Sequence, residues 1–228
     1  MTQHFLPGEP KITVNLRQSA RARRISLRVS RLDGKVTLTL PQRVSDQEGL
    51  AFLAEKADWV RKQLEDRPEQ IEVDVGTSIP FQGALLDIEP GTGKGIRISG
   101  DVLLVPQAKA KTSRRIEAFL KLQARERLVA AVDGYARELG RGYNKLTLRD
   151  TRSRWGSCTS AGGLMFSWRL IMAPEEVLNY VAAHEVAHLE QMNHSPNFWA
   201  LVERLYGPHQ QERAWLKAHG EKLHRYQF

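Results

Sequence analysis

Residues 184–188 read His-Glu-Val-Ala-His, and this pentapeptide constrains the chain more than any other stretch. Two histidines four apart on a helix lie on one face about one turn apart, so both imidazoles can reach one metal ion. Val177, Val181, His184 and His188 fall at i, i+4, i+7 and i+11, a single stripe that turns the pair toward the protein interior. Residue 185 then stands about 100° round the helix, where a carboxylate can lie beside an ion without binding it. With only 7 histidines in 228 residues, such a spacing seldom arises by chance. The bland alternative is two hydrogen-bonded core histidines with Glu185 at the surface. The spacing instead predicts zinc on nitrogen donors with one position open, an arrangement that lowers the pKa of a bound water to about 7. Glu185 is the expected general base, taking that proton and passing it to the leaving group.

A third ligand is needed. His194 lies six residues past His188 and would point about 240° away on a continuing helix. The chain carries signals to break that helix in time. Asn193 tolerates the left-handed backbone that ends helices, and Ser195-Pro196 reads as the cap and first turn of a new one. His194 at the junction is the favoured third ligand, with Glu203 and Glu212 as rivals. His209, His219 and His224 are expected at the surface. The spacing also occurs in the metzincin pattern, but here Gln191 replaces the glycine of that turn and no methionine follows Met192.

Composition bounds the rest. Charged residues make up 26% and hydrophobic ones 41%, which suits a soluble globular chain and excludes disorder as its main state. No apolar run approaches the roughly 20 residues of a membrane span, and the N-terminus lacks a secretory pattern. Cys158 is the single cysteine, so no internal disulfide forms and a reducing cytoplasm is expected. Lys and Arg number 34 against 26 acids, a net charge of +8, which favours polyanionic partners. The basic residues concentrate in 11–35 and 109–127; the plain reading of each stretch is a solvated face.

The N-terminal part reads as strands, with apolar residues alternating at Ile12/Val14/Leu16, Ile25/Leu27/Val29 and Val36/Leu38/Leu40, and Asp33-Gly34 as a hairpin signal. Ser45-Asp-Gln-Glu48 is a capping box opening one helix through Leu64 that stops before Pro68. Short strands follow over 71–106. The glycine cluster at 90–95 is expected to be a hairpin loop rather than a phosphate loop, because Gly95 rather than Ser or Thr follows Lys94 and a strand-like run comes next. Helical spacing runs from Thr112 to a stop at Gly140. A strand at Leu146/Leu148, a loop through Cys158, a strand over 164–171 and a helix from Pro174 complete the pattern. The expected boundary near 108–112 divides a β-rich region with one helix, 1–110, from a catalytic region, 111–228.

Arg154-Trp-Gly-Ser-Cys158, Phe166-Ser-Trp-Arg-Leu-Ile171, Pro174, Tyr180-Val, His184-Glu-Val-Ala-His-Leu189 and Asn193-His-Ser-Pro-Asn-Phe-Trp199 together closely resemble the YgjP-like metal-dependent hydrolases, relatives of SprT-like zinc peptidases and minigluzincins. Arg21-Ala-Arg-Arg-Ile25 and Trp59 also resemble the family. The resemblance implies an α+β fold: a β-rich N-terminal part, then a minigluzincin-like zinc peptidase domain with a small antiparallel sheet beside the HExxH helix. It implies one zinc ion on His184, His188 and His194, with Glu185 as general base. In related peptidases an edge strand near the metal pairs with extended substrate, and 164–171 is the expected strand here. Arg154, Ser167 and Arg169 are candidate substrate contacts; the family more often carries Asn where Ser167 stands. The alternative for Arg154 and Arg169 is salt bridges that hold the loop. Cys158 is expected to pack structurally, and Trp155, Trp168 and Trp199 to form core or cleft wall.

A zinc-dependent metallopeptidase acting on peptide or protein is therefore the first functional expectation. A nucleotide phosphoanhydride hydrolase is the second, motivated by the charge, though such chemistry usually takes Mg²⁺ on oxygen ligands. A nucleic-acid-associated protein with a structural zinc is the third.

Overall fold

The computed structural model describes residues 2–30, 33–66, 69–106 and 112–228. The chain divides into two units, Met1–Glu69 and Gln70–Phe228. The boundary expected near 108–112 falls largely on residues outside those described, whereas the helical stretch stops at Glu65, before Pro68 as expected.

In the first unit, β1 (Thr2–Leu6), β2 (Ile12–Ser19), β3 (Ser26–Val29) and β4 (Val36–Pro41) form one sheet in the order β1-β2-β4-β3. β2 and β4 pair in parallel, and the other two pairs are antiparallel. The alternation in the sequence decides the facing: Val14, Leu16, Val36, Leu38 and Leu40 point to one side and are buried with Leu53 and Val60 of the helices. β3 and β4 do pair antiparallel around Asp33-Gly34, and Gly34 takes φ +67° there. Ser45 caps α1 (Asp46–Glu55) in the expected box with Glu48. The single expected helix is two, because Lys56 leaves helical geometry at φ −94°, ψ 12° before α2 (Ala57–Glu65).

The second unit opens with β5 (Ile71–Glu72), β6 (Ser78–Phe81), β7 (Ala84–Gly91), β8 (Arg97–Ser99) and β9 (Val102–Pro106). The last four make a sheet in the order β6-β7-β9-β8. The glycine cluster is thus no hairpin loop: β7 pairs with β9 in parallel, and the segment after it crosses over to the far side of β9. A strand does follow it, which agrees with rejecting a phosphate loop.

α3 (Thr112–Leu139) buries every fourth residue from Ile116 to Ala136, and Gly140 at φ +72° ends it as the sequence predicts. Each of its buried Ile, Leu and Val side chains contributes roughly 1.5–3 kcal/mol of burial. β10 (Lys145–Arg149), β11 (Gly156–Cys158) and β12 (Gly163–Ser167) form a three-stranded sheet in the order β10-β12-β11. Its pairing is mixed, parallel for β10 with β12 and antiparallel for β11 with β12. The expected strand over 164–171 ends at Ser167, and Trp168–Met172 is a 3-10 turn. That strand is also central, bonded on both sides, so it cannot offer an edge to substrate; β10 and β11 are the edges.

α4 (Glu175–Ala187) begins after Pro174 and is buried almost all round, as befits a helix through the core. α5 (Pro196–Tyr206), α6 (Gln210–His219) and a 3-10 turn over Gly220–Arg225 follow. The short β13 (Tyr226–Gln227) returns to pair with β5. The fold class is α+β. No described helix is long and apolar enough to cross a membrane.

Candidate metal centre

α4 carries His184 and Glu185 in its last turn, and His188 caps its end. Because every neighbour on this turn is buried, the three side chains emerge into the interior rather than into water. The chain then tightens through Leu189 N–H to the Val186 carbonyl and Gln191 N–H to the Ala187 carbonyl. This turn returns the Gln191 carbonyl to His188 Nδ1, 2.8 Å away. Asn193 does not take the expected left-handed backbone; among described non-glycine residues only Gln82 does. Its Oδ1 instead accepts from Ser195 N–H at 3.2 Å, and Ser195 Oγ caps α5 by accepting from Phe198 N–H. His194 is thereby swung back over α4.

One ring nitrogen from each of His184, His188 and His194 lies within 4.8 Å of the others, and Nε2 of His184 is 3.1 Å from Nε2 of His194. The Phe198 ring underlies all three, with centroids 4.9, 4.4 and 4.8 Å from His184, His188 and His194. Burial pushes the His184 imidazole down to about 3, helped by the neighbouring histidines and Arg213. Burial also lowers His188, against the opposing pull of the Gln191 carbonyl. Neutral rings keep the lone pairs that a metal needs. The Gln191 carbonyl accepts the Nδ1 proton of His188, which leaves its Nε2 free to coordinate. Three convergent imidazoles fit a borderline divalent cation such as zinc.

Glu185 is 6% exposed, not a surface residue. Burial raises its carboxyl to about 8, and the charge of Arg154 pulls the other way. A Cβ on Gly156 would lie 2.6 Å from Glu185 Cγ and Oε1, so only glycine lets β11 lie this close to the carboxylate. Neighbouring Cys158 is half-buried, and burial first, then Glu185, raises its thiol to about 11, which suits the expected packing role.

The three candidate substrate contacts separate. Arg154 is exposed, and its charge reaches Glu185. Ser167 is fully buried, its Oγ without a partner. Arg169 is also buried, and it spends its guanidinium on Asp150 and on the carbonyls of Leu223 and Tyr226. That is the loop-holding arrangement the sequence offered as its alternative. Its cause is the 3-10 turn after β12, which carries residue 169 inward.

Of the histidines expected at the surface, only His219 is exposed. His209 is sandwiched between Tyr180 and Trp199 at 5.3 and 5.5 Å, stacked nearly parallel to both, and Trp199 in turn flanks His184 and His194. His224 is buried against Trp155. Trp168 belongs to the core and Trp199 walls the histidine cluster. Sequence reasoning missed Gly156, Phe198 and His209. Gly156 lay in a stretch expected as a loop, which folds instead as β11, and the other two showed no chemical pattern of their own. The rivals Glu203 and Glu212 are not in the three-histidine cluster; Glu203 is exposed and Glu212 interacts with Tyr206.

No curated protein matches the chain. A solved structure, the metallopeptidase zymogen of Pyrococcus abyssi abylysin, is similar at 22% identity, covering 44% of this chain and 99% of that one at a TM-score of 0.37. The family described as YgjP-like, metallopeptidase domain, matches residues 23–219, most of the chain, so this protein belongs to the YgjP-like family and is a metal-dependent hydrolase of the metallopeptidase kind.

Proposed function

We propose that the protein is a zinc metallopeptidase in which His184, His188 and His194 hold the ion and Glu185 moves the proton. The observation that carries this reading is the convergence of three imidazoles with a buried carboxylate one residue from the first of them. When bound, such an ion supplies Lewis acidity, acidifying water and polarising a carbonyl. Glu185 Oε1 or Oε2 accepts the proton released from the attacking water and donates it to the leaving nitrogen. A cation nearby favours the ionised carboxyl and so offsets the upward pull of burial on Glu185.

β11, one of the two edge strands of its sheet, abuts Glu185 at Gly156. An extended peptide adding to that edge gains main-chain hydrogen bonds with little side-chain preference, and its scissile bond is carried toward the carboxylate. Arg154, exposed and electrostatically coupled to Glu185, is placed to polarise a substrate carbonyl. The cluster holds three histidines among the described residues, which leaves a position open; a structural zinc would want a fourth Cys or His. The lone thiol suits a reducing cytoplasm.

The test pairs metal analysis with peptide and nucleoside triphosphate panels, each with and without chelator. Glu185→Gln keeps the metal and loses hydrolysis, whereas His184→Ala loses both. Full activity in Glu185→Gln removes Glu185 from the mechanism. Cleavage of triphosphates with inert peptides transfers the site to phosphoanhydride chemistry.

A further inference from the structure

The hydrolytic site lies wholly in the second unit and leaves the basic stretch of 11–35 without a role. The register of the first unit's sheet gives that stretch a shape. Gln3, Asn15, Thr37 and Arg28 stand in one row across all four strands, on the face opposite the buried Val14 and Val36. Arg17 lies beside Thr39 in the same outward set. Phe5 also points outward and is 63% exposed, a large apolar ring on an otherwise polar face.

Charge is divided between the two sides. The four strands contain no Asp or Glu at all. The helices on the other side, α1 and α2, carry five acids, Asp46, Glu48, Glu55, Asp58 and Glu65, against Arg61 and Lys62. Exposed Lys11, Arg21, Arg23, Arg24 and Lys35 stand in the loops that join the strands, with Glu9 and Asp33 as the acids there. A face with cations, hydroxyls, amides and no acid complements a polyanion.

We infer that this sheet face is a docking surface for single-stranded nucleic acid. The shape selects single strands over duplex. The surface is an open sheet about 14 Å across, three strand spacings of about 4.8 Å, with its helices behind it and none available to enter a groove. An unstacked base can lie on the Phe5 ring while Arg17 and Arg28 meet phosphates and Gln3, Asn15 and Thr37 offer hydrogen bonds to base edges. The proposal is independent of the peptidase reading and survives or fails without it.

The test is fluorescence anisotropy of the full chain with a labelled single-stranded 15-mer of thymidine, a blunt duplex of the same length, and polyglutamate as competitor. The single strand is expected to bind at least tenfold more tightly than the duplex, with affinity falling as salt rises. Phe5→Ala is expected to lower affinity roughly tenfold. Arg17→Gln with Arg28→Gln is expected to reduce the slope of log affinity against log salt by about 1.4, two phosphate contacts at about 0.7 each. Arg125→Gln with Arg149→Gln, exposed cations of the second unit, should leave both measures near those of the parent. Absence of binding overturns the proposal, as do equal binding of duplex or displacement by polyglutamate at equal charge. So does a loss in the Arg125/Arg149 variant as large as in the sheet variants. All substituted side chains are exposed, and thermal melting checks that the variants remain folded.

Discussion

The Arg169 guanidinium closes on the Asp150 carboxylate through two hydrogen bonds, Nε to Oδ1 at 2.7 Å and Nη2 to Oδ2 at 3.1 Å. Its third nitrogen bonds the carbonyls of Leu223 and Tyr226, near the end of the chain. One side chain thus ties the loop after β10, the turn after β12 and the C-terminal segment together. The pair brackets the Arg154–Cys158 stretch in sequence, so it bears on where β11 runs past Glu185.

Asp150→Ala leaves a buried guanidinium with half its hydrogen bonds. Breaking a fully buried pair costs about 3–5 kcal/mol. Asp150 is 43% exposed, so a loss of about 2 kcal/mol is expected, since water reaches part of the vacated site. Urea unfolding measures it; an unchanged midpoint would mean that solvent already carries the guanidinium.

Acid should destabilise the protein in two stages. Burial first, then the charge of Arg169, holds the His224 imidazole down to about 4 against an ordinary 6.5, and Asp150 opposes this only in part. Between those values the unfolded chain takes up a proton that the folded one refuses. The contribution of His224 is therefore whole above 6.5 and falls as pH drops toward 4, and buried His184, held down to about 3, adds in the same direction. For Asp150, burial raises the carboxyl, but hydrogen bonds and charge from Arg169 outweigh it, and the net shift is downward from 3.8. That contribution is present above 3.8 and is lost as pH falls below it. Melting temperature against pH checks both, and His224→Gln should make the first stage shallower, leaving the part that His184 carries. A variant with the parent's slope there would acquit His224.

Gly156→Ala forces a methyl group to within 2.6 Å of the Glu185 side chain. Displacing a reacting group by about 1 Å costs on the order of 100-fold in rate. Hydrolysis is expected to fall by that order while metal content stays near the parent's. Gly142→Ala is the control, since nothing lies within 4 Å of its added carbon. Steady-state kinetics on any peptide the enzyme cleaves decides it, and equal rates in the two variants would remove β11 from beside the carboxylate.

Phe198 is fully buried under the three imidazoles. Phe198→Ala should cost about 3–5 kcal/mol, as large-to-small changes in cores do. Phe198→Leu keeps an apolar plug but loses the flat support. Its metal affinity, measured against a chelating dye, is expected to fall about 10–100-fold, the usual range when groups behind metal ligands are altered. Parent affinity in the leucine variant would show that the rings are oriented by the backbone alone.

Much of the fold was legible because it follows from local rules. Alternation at Val14/Leu16 and Val36/Leu38 marks strands with one wet face, Ser45 and Glu48 cap a helix within four residues of each other, and Gly140 stops one by adopting positive φ. β1 escaped notice because its one large apolar outward residue, Phe5, hides the alternation of His4 and Leu6. The expected hairpin at 90–95 failed because strand order depends on which edges pair, and pairing partners are distant in the chain.

The sequence by itself determined the chemistry of the cluster. Spacing within one helix sets which side chains share a face, and helix geometry is the same in every protein. What only tertiary structure decided is what stands around those side chains. Arg169 was turned into the fold and Arg154 left exposed; β12 was enclosed and β11 left at the edge; His209 and His224 were drawn inside. These outcomes depend on the burial of whole elements against one another, a sum over many weak contacts between residues far apart in the chain, which no short pattern encodes.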